Sequence, residues 1–100
     1  MKIIEINEEN FKKETLEGKV LVDFNATWCG PCRILKPILE EFSQTTSVKV
    51  CSVDVDANEN LAREYNIYSI PCLILLENGQ EIKRNVGLIS LDEIKNFVGE

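Results

Sequence analysis

The sequence contains no histidine among its 100 residues, and this absence excludes several classes of site. Histidine is the usual general base near neutral pH and a common protein ligand of zinc. Proton transfer near neutral pH must therefore use a thiol or a carboxyl group with a shifted pKa. The chain also has few prolines and glycines, no repeat and no low-complexity tract. We therefore expect a single globular domain over residues 1–100.

An excess of basic residues and a long apolar segment are also missing. The chain has 17 acidic and 11 basic side chains, for a net charge of −6, which argues against nucleic acid or an anionic membrane as a partner. The longest apolar run, residues 70–76, is interrupted by Pro71 and is far shorter than the roughly 20 residues that cross a bilayer. The first residues lack the apolar stretch of a signal peptide, so we expect a cytoplasmic protein.

Apolar periodicity predicts the element order β-α-β-α-β-α-β-β-α. The predicted strands cover residues 3–6, 20–25, 48–55, 72–77 and 81–86, and the predicted helices cover residues 7–16, 29–44, 58–65 and a last segment from residue 90. Asn78-Gly79 is a typical hairpin turn, Ser90 and Glu93 form a capping-box pattern, and Pro37 is expected to kink the second helix. This order predicts an α/β fold: a mixed five-stranded sheet, with three parallel strands and a C-terminal antiparallel hairpin, flanked by four helices.

Residues 28–33 read WCGPCR and carry the most informative pattern in the chain. They follow a buried strand and open an amphipathic helix, so the first cysteine meets the positive end of the helix dipole, where a thiolate is stabilised. We expect Cys29, at this exposed end, to be the attacking nucleophile. Cys32, buried one turn further in, would attack the resulting mixed disulfide and form a Cys29–Cys32 disulfide. The pattern therefore predicts thiol–disulfide exchange.

Two other readings of the CxxC pair are weaker. A structural disulfide closing a loop of only four residues would stabilise the fold by about 2 kcal/mol. A zinc site would need a second cysteine pair, whereas Cys51 and Cys72 are single residues on different strands. We therefore expect no metal. Cys51 and Cys72 are interpreted as buried structural thiols, with a regulatory role for Cys72 as the alternative.

The sequence WCGPC after VDF, with Ile70-Pro71 about forty residues later and an Asn-Gly hairpin behind it, resembles the thioredoxin family. The resemblance extends from residue 3 to residue 98. It implies the thioredoxin fold and a monomeric protein-disulfide reductase without a bound cofactor. A thioredoxin reductase would recharge it, with electrons from NADPH through flavin or from ferredoxin, and its substrates would be disulfide-containing proteins.

The resemblance also implies roles for particular residues. Asp23 would be the buried proton acceptor and donor behind the dithiol, and Pro71 would follow a cis peptide bond. Trp28, Gly30 and Pro31 would form the active-site turn, with a buried core position as the alternative for Trp28. The residues expected to dock substrate are Trp28, Ile70, Pro71, Gly87 and Leu88.

Three positions depart from the family pattern. Many members carry a lysine on the third strand that pairs with the buried aspartate, and this position is Ser52 here. Lys49 cannot replace that lysine because it has the opposite strand parity. Asn25 stands where an aromatic residue is common, which predicts looser packing behind the motif's tryptophan. Cys72 stands where threonine is usual. Without a counter-charge, the buried aspartate is expected to stay neutral more readily.

Three functions remain open from the sequence. The first is a general protein-disulfide reductase. The second is a dedicated electron carrier for one partner, or a glutaredoxin-like protein that uses glutathione, although the CGPC turn speaks against glutathione. The third is a non-catalytic binding module, but such modules often lose one cysteine and this chain keeps both.

Overall fold

A computed structural model describes residues 2–100 and shows the predicted order of elements. The strands are β1 (Ile4–Glu5), β2 (Lys19–Asn25), β3 (Lys49–Asp54), β4 (Cys72–Glu77) and β5 (Gln80–Val86). The helices are α1 (Phe11–Thr15), α2 (Gly30–Ser43), α3 (Glu59–Glu64) and α4 (Leu91–Val98). None of the helices in this described part is both long and apolar enough to cross a membrane.

The five strands form one mixed sheet in the order β1-β3-β2-β4-β5. β1, β3 and β2 run parallel, whereas β4 is antiparallel to both β2 and β5. Asn78 and Gly79 join β4 to β5 with φ angles of +51° and +81°, the left-handed conformation that a type I′ hairpin turn requires. The five-stranded mixed sheet with a C-terminal hairpin is therefore confirmed.

Side chains alternate along β2 between two apolar layers. Val20, Val22 and Phe24 belong to the cluster that includes residues of α1 and α3, whereas Leu21 belongs to the cluster built with α2 and α4. Asp23 is two residues beyond Leu21 and therefore lies on the α2 face. The alternation thus places one carboxyl group in an otherwise apolar layer beneath the helix that carries the dithiol.

Each helix begins after the first residue of its predicted range, and the shift is largest for α1. Asn7 was the expected cap of α1, but its side-chain oxygen accepts hydrogen bonds from the backbone N–H groups of Glu9 and Asn10, at 2.9 and 3.1 Å. This closes a separate turn, and the helix starts only at Phe11. α2 starts at Gly30, with Cys29 as its N-cap, and continues through Pro37 to Ser43. The kink at Pro37 stays a prediction.

The capping box before α4 is present as predicted. The Ser90 hydroxyl accepts a hydrogen bond from the Glu93 backbone N–H at 3.2 Å, and the Glu93 carboxylate accepts one from the Ser90 N–H at 2.9 Å. These bonds satisfy two amides that the helix itself leaves without partners. Because Ile94 and Val98 on the inner face of α4 are buried against the sheet, the cap also fixes part of the core.

We expect Ser90→Ala to lower the free energy of unfolding by about 1 kcal/mol, the usual cost of losing an N-cap hydroxyl. Urea denaturation followed by circular dichroism measures this change. Ser47→Ala is the matched control, because Ser47 is an exposed serine in the loop between α2 and β3. Equal effects of the two substitutions would contradict the capping role.

Candidate active site

The dithiol lies where β2 passes into α2. Cys29 has extended backbone angles, φ −85° and ψ 114°, and occupies the N-cap position of the 14-residue helix α2. Its sulfur accepts a hydrogen bond from the Cys32 backbone N–H at 3.2 Å. Pro31 fits the first turn because the N–H group that it lacks would have no partner within the helix. The motif thus places the Cys29 sulfur at the positive end of the helix dipole.

Cys29 and Cys32 form a disulfide, with their Cα atoms 5.2 Å apart. Cys29 is 4% exposed and Cys32 is 5% exposed. The expectation that the first thiol lies exposed is therefore wrong for the disulfide form, although the burial of Cys32 is confirmed. Cys29 is covered because Ala26, Val55 and Ile70 pack around the two sulfurs.

The segment before β4 lies against the Cys29 sulfur. The Ile70 carbonyl oxygen is 3.9 Å from this sulfur, and the Ile70–Pro71 peptide bond is cis, as the resemblance implied. The Pro71 carbonyl accepts a hydrogen bond from the Gly87 N–H at 2.8 Å, which holds the loop after β5 beside the same segment. Ile70 and Gly87 are half-buried, Leu88 is exposed, and Pro71 is buried.

Trp28 lies outside the core with 66% of its surface exposed, so the buried alternative is wrong. Its indole N–H donates a hydrogen bond to a carboxylate oxygen of Asp56 at 2.7 Å. Asp56 lies in the turn after β3, and no pattern in the sequence pointed to it. Pro31 is exposed and Gly30 is half-buried. A Cβ atom added at Gly30 would meet no atom within 4 Å beyond its chain neighbours and the backbone of its own helix, so this part of the turn is open to an incoming chain.

Asp23 is 4% exposed and lies behind the dithiol on the α2 face. It is directly paired in register with Ser52 on β3. The Asn25 side-chain N–H₂ donates to Oδ2 of Asp23 at 3.1 Å and to the hydroxyl of Ser52 at 2.7 Å. Oδ1 of Asp23 is buried without a hydrogen-bond partner among the described residues.

Burial raises the pKa of Asp23 from 3.8 to about 7. The hydrogen bond from Asn25 opposes this rise, and the negative charge of Glu5 adds to it. Desolvation is the largest cause because an ionised carboxylate loses its hydration inside an apolar layer. The prediction that Asp23 stays neutral more readily is consistent with this direction, and a carboxyl group with such a pKa can exchange a proton near neutral pH.

The polar contacts of Asn25 go beyond the packing role that the sequence indicates for this residue. A signal was available, because residues two apart on a strand share a face and Asn25 follows Asp23 at that spacing. Lys49, in contrast, is confirmed on the opposite face, where its ammonium group bonds the Glu14 carboxylate at 2.6 Å.

An open cleft of about 740 Å³ reaches this part of the sheet. Asp23, Asn25, Cys32 and Ser52 all line it. A cleft of this size has room for several water molecules, so a proton could pass between the carboxyl group and solvent along it.

The other two cysteines are buried on the far side of the sheet, in the cluster shared with α1 and α3. Burial raises the pKa of the Cys51 thiol to about 11 and also raises the pKa of the Cys72 thiol. Protonated, buried thiols are poor nucleophiles, which favours the structural interpretation of both. Within residues 2–100, no group of three or more potential metal-ligating side chains is close enough to hold a metal ion.

Comparison with known proteins places the chain in a family. The sequence model of the family described as "Thioredoxin" matches residues 2–100. A thioredoxin of Buchnera aphidicola subsp. Schizaphis graminum is 46% identical over 103 residues, covering 99% of this chain and 95% of that protein. A bifunctional thioredoxin reductase/thioredoxin of Mycobacterium leprae is 46% identical over 88 residues, covering 84% of this chain and 19% of that protein.

A solved structure agrees with these sequence matches. A mutant thioredoxin from Halobacterium salinarum NRC-1 superposes with a TM-score of 0.91 and 31% sequence identity, covering 97% of this chain and 88% of that chain. Together with the Cys29–Cys32 pair, these matches show that the protein is a thiol–disulfide oxidoreductase that reduces protein disulfides. The chain belongs to the thioredoxin family.

Proposed function

We propose that the single domain formed by residues 1–100 reduces protein disulfides through Cys29 as nucleophile and Cys32 as resolving thiol. The Cys29 thiolate attacks one sulfur of the substrate disulfide, and the other substrate sulfur leaves with the bonding electron pair. Cys32 then attacks the Cys29 sulfur, forms the Cys29–Cys32 disulfide and releases the second substrate thiol. Two electrons pass from the dithiol to the substrate in each cycle.

The N-cap position of Cys29 carries the assignment of the nucleophile. In the disulfide its sulfur already accepts the Cys32 N–H at 3.2 Å, and the same donor would stabilise a thiolate after reduction. The helix dipole adds to this stabilisation because Cys29 precedes the first residue of α2. Cys32 lies inside the first turn and is buried, which suits a thiol that reacts only with its neighbour.

Asp23 is the proposed proton acceptor and donor for Cys32. Both side chains are buried and line the same cleft behind the turn. A carboxyl group with a pKa of about 7 accepts and returns a proton near neutral pH with little cost in either direction. The proton leaves Cys32 as it attacks Cys29, and it returns when the dithiol is regenerated.

The proposed docking surface consists of Trp28, Gly30, Pro31, Ile70, Pro71, Gly87 and Leu88. The exposed side chains of Trp28 and Leu88 supply its apolar area. The open space at Gly30 leaves room for a substrate backbone above the turn. Because Pro71 is buried, we propose that this segment contributes main-chain groups rather than side-chain area.

The partner that regenerates the dithiol is proposed to be a thioredoxin reductase. The Mycobacterium leprae relative joins a reductase and a thioredoxin in one chain, which supports a pairing of the two activities. The electrons of this reductase partner are proposed to come from NADPH through flavin or from ferredoxin. This chain is proposed to work without a bound cofactor, because the two sulfurs carry the electrons themselves.

The proposed setting is a monomer in the cytoplasm. Cytoplasmic thiols are kept reduced, in keeping with the free thiols of Cys51 and Cys72. The net charge of −6 disfavours self-association through like-charge repulsion.

We expect Cys29→Ser to abolish the acceleration that the wild-type protein gives to insulin reduction by dithiothreitol, because no thiolate remains at the N-cap. Cys32→Ser should accumulate mixed disulfides with substrate, since the resolving thiol is missing. Turbidity of the released insulin chains measures the first effect, and mass spectrometry detects the second. Cys51→Ala is the control and should retain activity, because Cys51 lies on the other face of the sheet. Wild-type activity of Cys29→Ser would refute the assignment.

We expect the pH dependence of stability to depend on Asp23. The folded state holds this proton up to about pH 7, whereas the unfolded chain releases it near 3.8. The protonated carboxyl group stabilises the folded state fully below the unfolded-chain pKa of 3.8. This stabilisation is lost as the pH rises through the folded-state pKa of about 7. The difference between the two pKa values corresponds to about 4 kcal/mol. The free energy of unfolding of the wild type should decline by up to this amount as the pH rises, and Asp23→Asn should remove this decline. Urea unfolding between pH 4 and pH 8 measures it.

The same substitution should also flatten the pH profile of single-turnover disulfide reduction. Asp92→Asn is the matched control for both measurements, because Asp92 is an exposed carboxyl group in the first turn of α4. It should keep the wild-type slope of stability against pH. A wild-type slope and a wild-type rate profile in Asp23→Asn would remove the proton-transfer role.

We expect Leu88→Glu to lower kcat/KM for insulin about fivefold or more, which corresponds to the ~1 kcal/mol typical of a significant interface side chain. The introduced carboxylate would lose hydration when the substrate covers it. Ile82→Glu is the control, because Ile82 is similarly exposed on β5 but lies outside the proposed surface. Equal losses in both variants would contradict the docking assignment.

A further inference from the structure

The Asn25 side chain is held by three acceptors. Its Nδ2 atom is 3.1 Å from the Asp23 backbone oxygen, 3.1 Å from Asp23 Oδ2 and 2.7 Å from the Ser52 hydroxyl oxygen. The amide nitrogen has two hydrogens, so all three oxygens are served only if one hydrogen is shared. The surroundings therefore fix both the position and the orientation of the amide group.

This contact makes the two oxygens of Asp23 unequal. Oδ2 accepts the Asn25 hydrogen bond, whereas Oδ1 is buried and has no partner within the described residues. A buried carboxylate oxygen without a partner is costly, and the cost falls when that oxygen binds a proton. Protonation at Oδ1 therefore stabilises the folded state more than protonation at Oδ2.

Among the described residues, no basic side chain forms an ion pair with Asp23, and its carboxylate accepts its hydrogen bond from the neutral amide of Asn25. Besides Asp23, three basic and three acidic side chains line the cleft: Lys2, Glu5, Arg33, Lys36, Glu40 and Asp54. Among these, Glu5 on β1 raises the pKa of Asp23, and no ion pair to Asp23 is present within residues 2–100. Cys32 on α2 also lines the cleft, and Cys72 on β4 interacts with Asp23 electrostatically from the other side of the sheet.

We propose that Asn25 is a positioning residue for disulfide exchange, whose amide holds Oδ2 of Asp23 so that the proton is exchanged with Cys32 at Oδ1. This inference rests on the proposed role of Asp23. In this role Asn25 acts only through the carboxyl group, to which its amide is hydrogen-bonded. Ser52, which accepts the second hydrogen of the amide, anchors Asn25 in this orientation.

The proton step is balanced within the dithiol reaction. The S–H bond of Cys32 breaks and its proton binds Oδ1, while the sulfur forms a bond to the Cys29 sulfur. The bond between Cys29 and the substrate sulfur breaks, and that sulfur leaves with the electron pair. The hydrogen bond from Asn25 is stronger to an ionised carboxylate than to a neutral carboxyl group. It therefore keeps part of Asp23 ionised near neutral pH, ready to accept the proton.

The test is Asn25→Leu, which removes the donor and roughly preserves the volume. In the disulfide form, carbon NMR of the Asp23 carboxyl group gives its titration midpoint without interference from Cys29 or Cys32. The midpoint should move to higher pH. In the reduced protein, the single tryptophan, Trp28, reports single-turnover reduction of insulin. The rate at pH 7 should fall about tenfold, as expected for the loss of one hydrogen bond to a charged group.

Two further variants separate positioning from a general effect of the substitution. Ser52→Ala should move the midpoint in the same direction but less, because Asn25 loses its anchor and keeps its donors. Asn60→Leu makes the same chemical change on α3, where Asn60 is exposed and accepts a hydrogen bond from Arg63. In this variant, Asp23 should keep the wild-type titration midpoint. Where Asn25→Leu does not fold, Asn25→Ala provides the same comparison.

A wild-type midpoint in Asn25→Leu, or an equal shift in Asn60→Leu, would overturn the proposal. The outcome is distinguishable from a failure of the proposed function. If Asp23→Asn changes the pH profile of reduction and Asn25→Leu does not, only the positioning role is lost. If Asp23→Asn keeps the wild-type profile, the role of Asp23 itself is lost, and the positioning role falls with it.

Discussion

The alternation of side chains along β2 is the constraint on which the site depends. It turns Val20, Val22 and Phe24 toward α1 and α3, and it turns Leu21 and Asp23 toward α2. The same strand then leads directly into the turn that carries the dithiol. A carboxyl group and two sulfurs that are separated in the sequence thus come together behind one helix start. A shift of register by one residue would move Asp23 to the opposite layer.

Burial of Asp23 links the chemistry of the site to the stability of the fold. The desolvation that raises its pKa to about 7 makes the ionised form unfavourable in the folded state. The neighbouring side chains of Ser52 and Asn25 are neutral and supply no counter-charge. The protein therefore keeps a destabilising group where the proposed proton transfer would benefit from it, a common compromise at active sites.

Much of the fold and the chemical core of the site could be predicted from the sequence. The period of apolar residues, the Asn78-Gly79 turn and the Ser90 cap each act locally, so they were recognised correctly. The start of α1 was wrong because Asn7 can cap either a helix or a separate turn, and tertiary packing decides between them. The contacts of Asn25 and Asp56 join residues distant in sequence or depend on side-chain orientation, which composition does not encode.

The placement of the four sulfurs has a consequence for the handling of the protein under oxidants. The β-sheet separates the dithiol from Cys51 and Cys72, whose side chains lie in the opposite layer. A disulfide between the dithiol and Cys51 or Cys72 is therefore blocked while the chain is folded, since the backbone of the strands stands between the two pools. Scrambling between the two pools thus requires the sheet to open, and it sets in under conditions that unfold the protein.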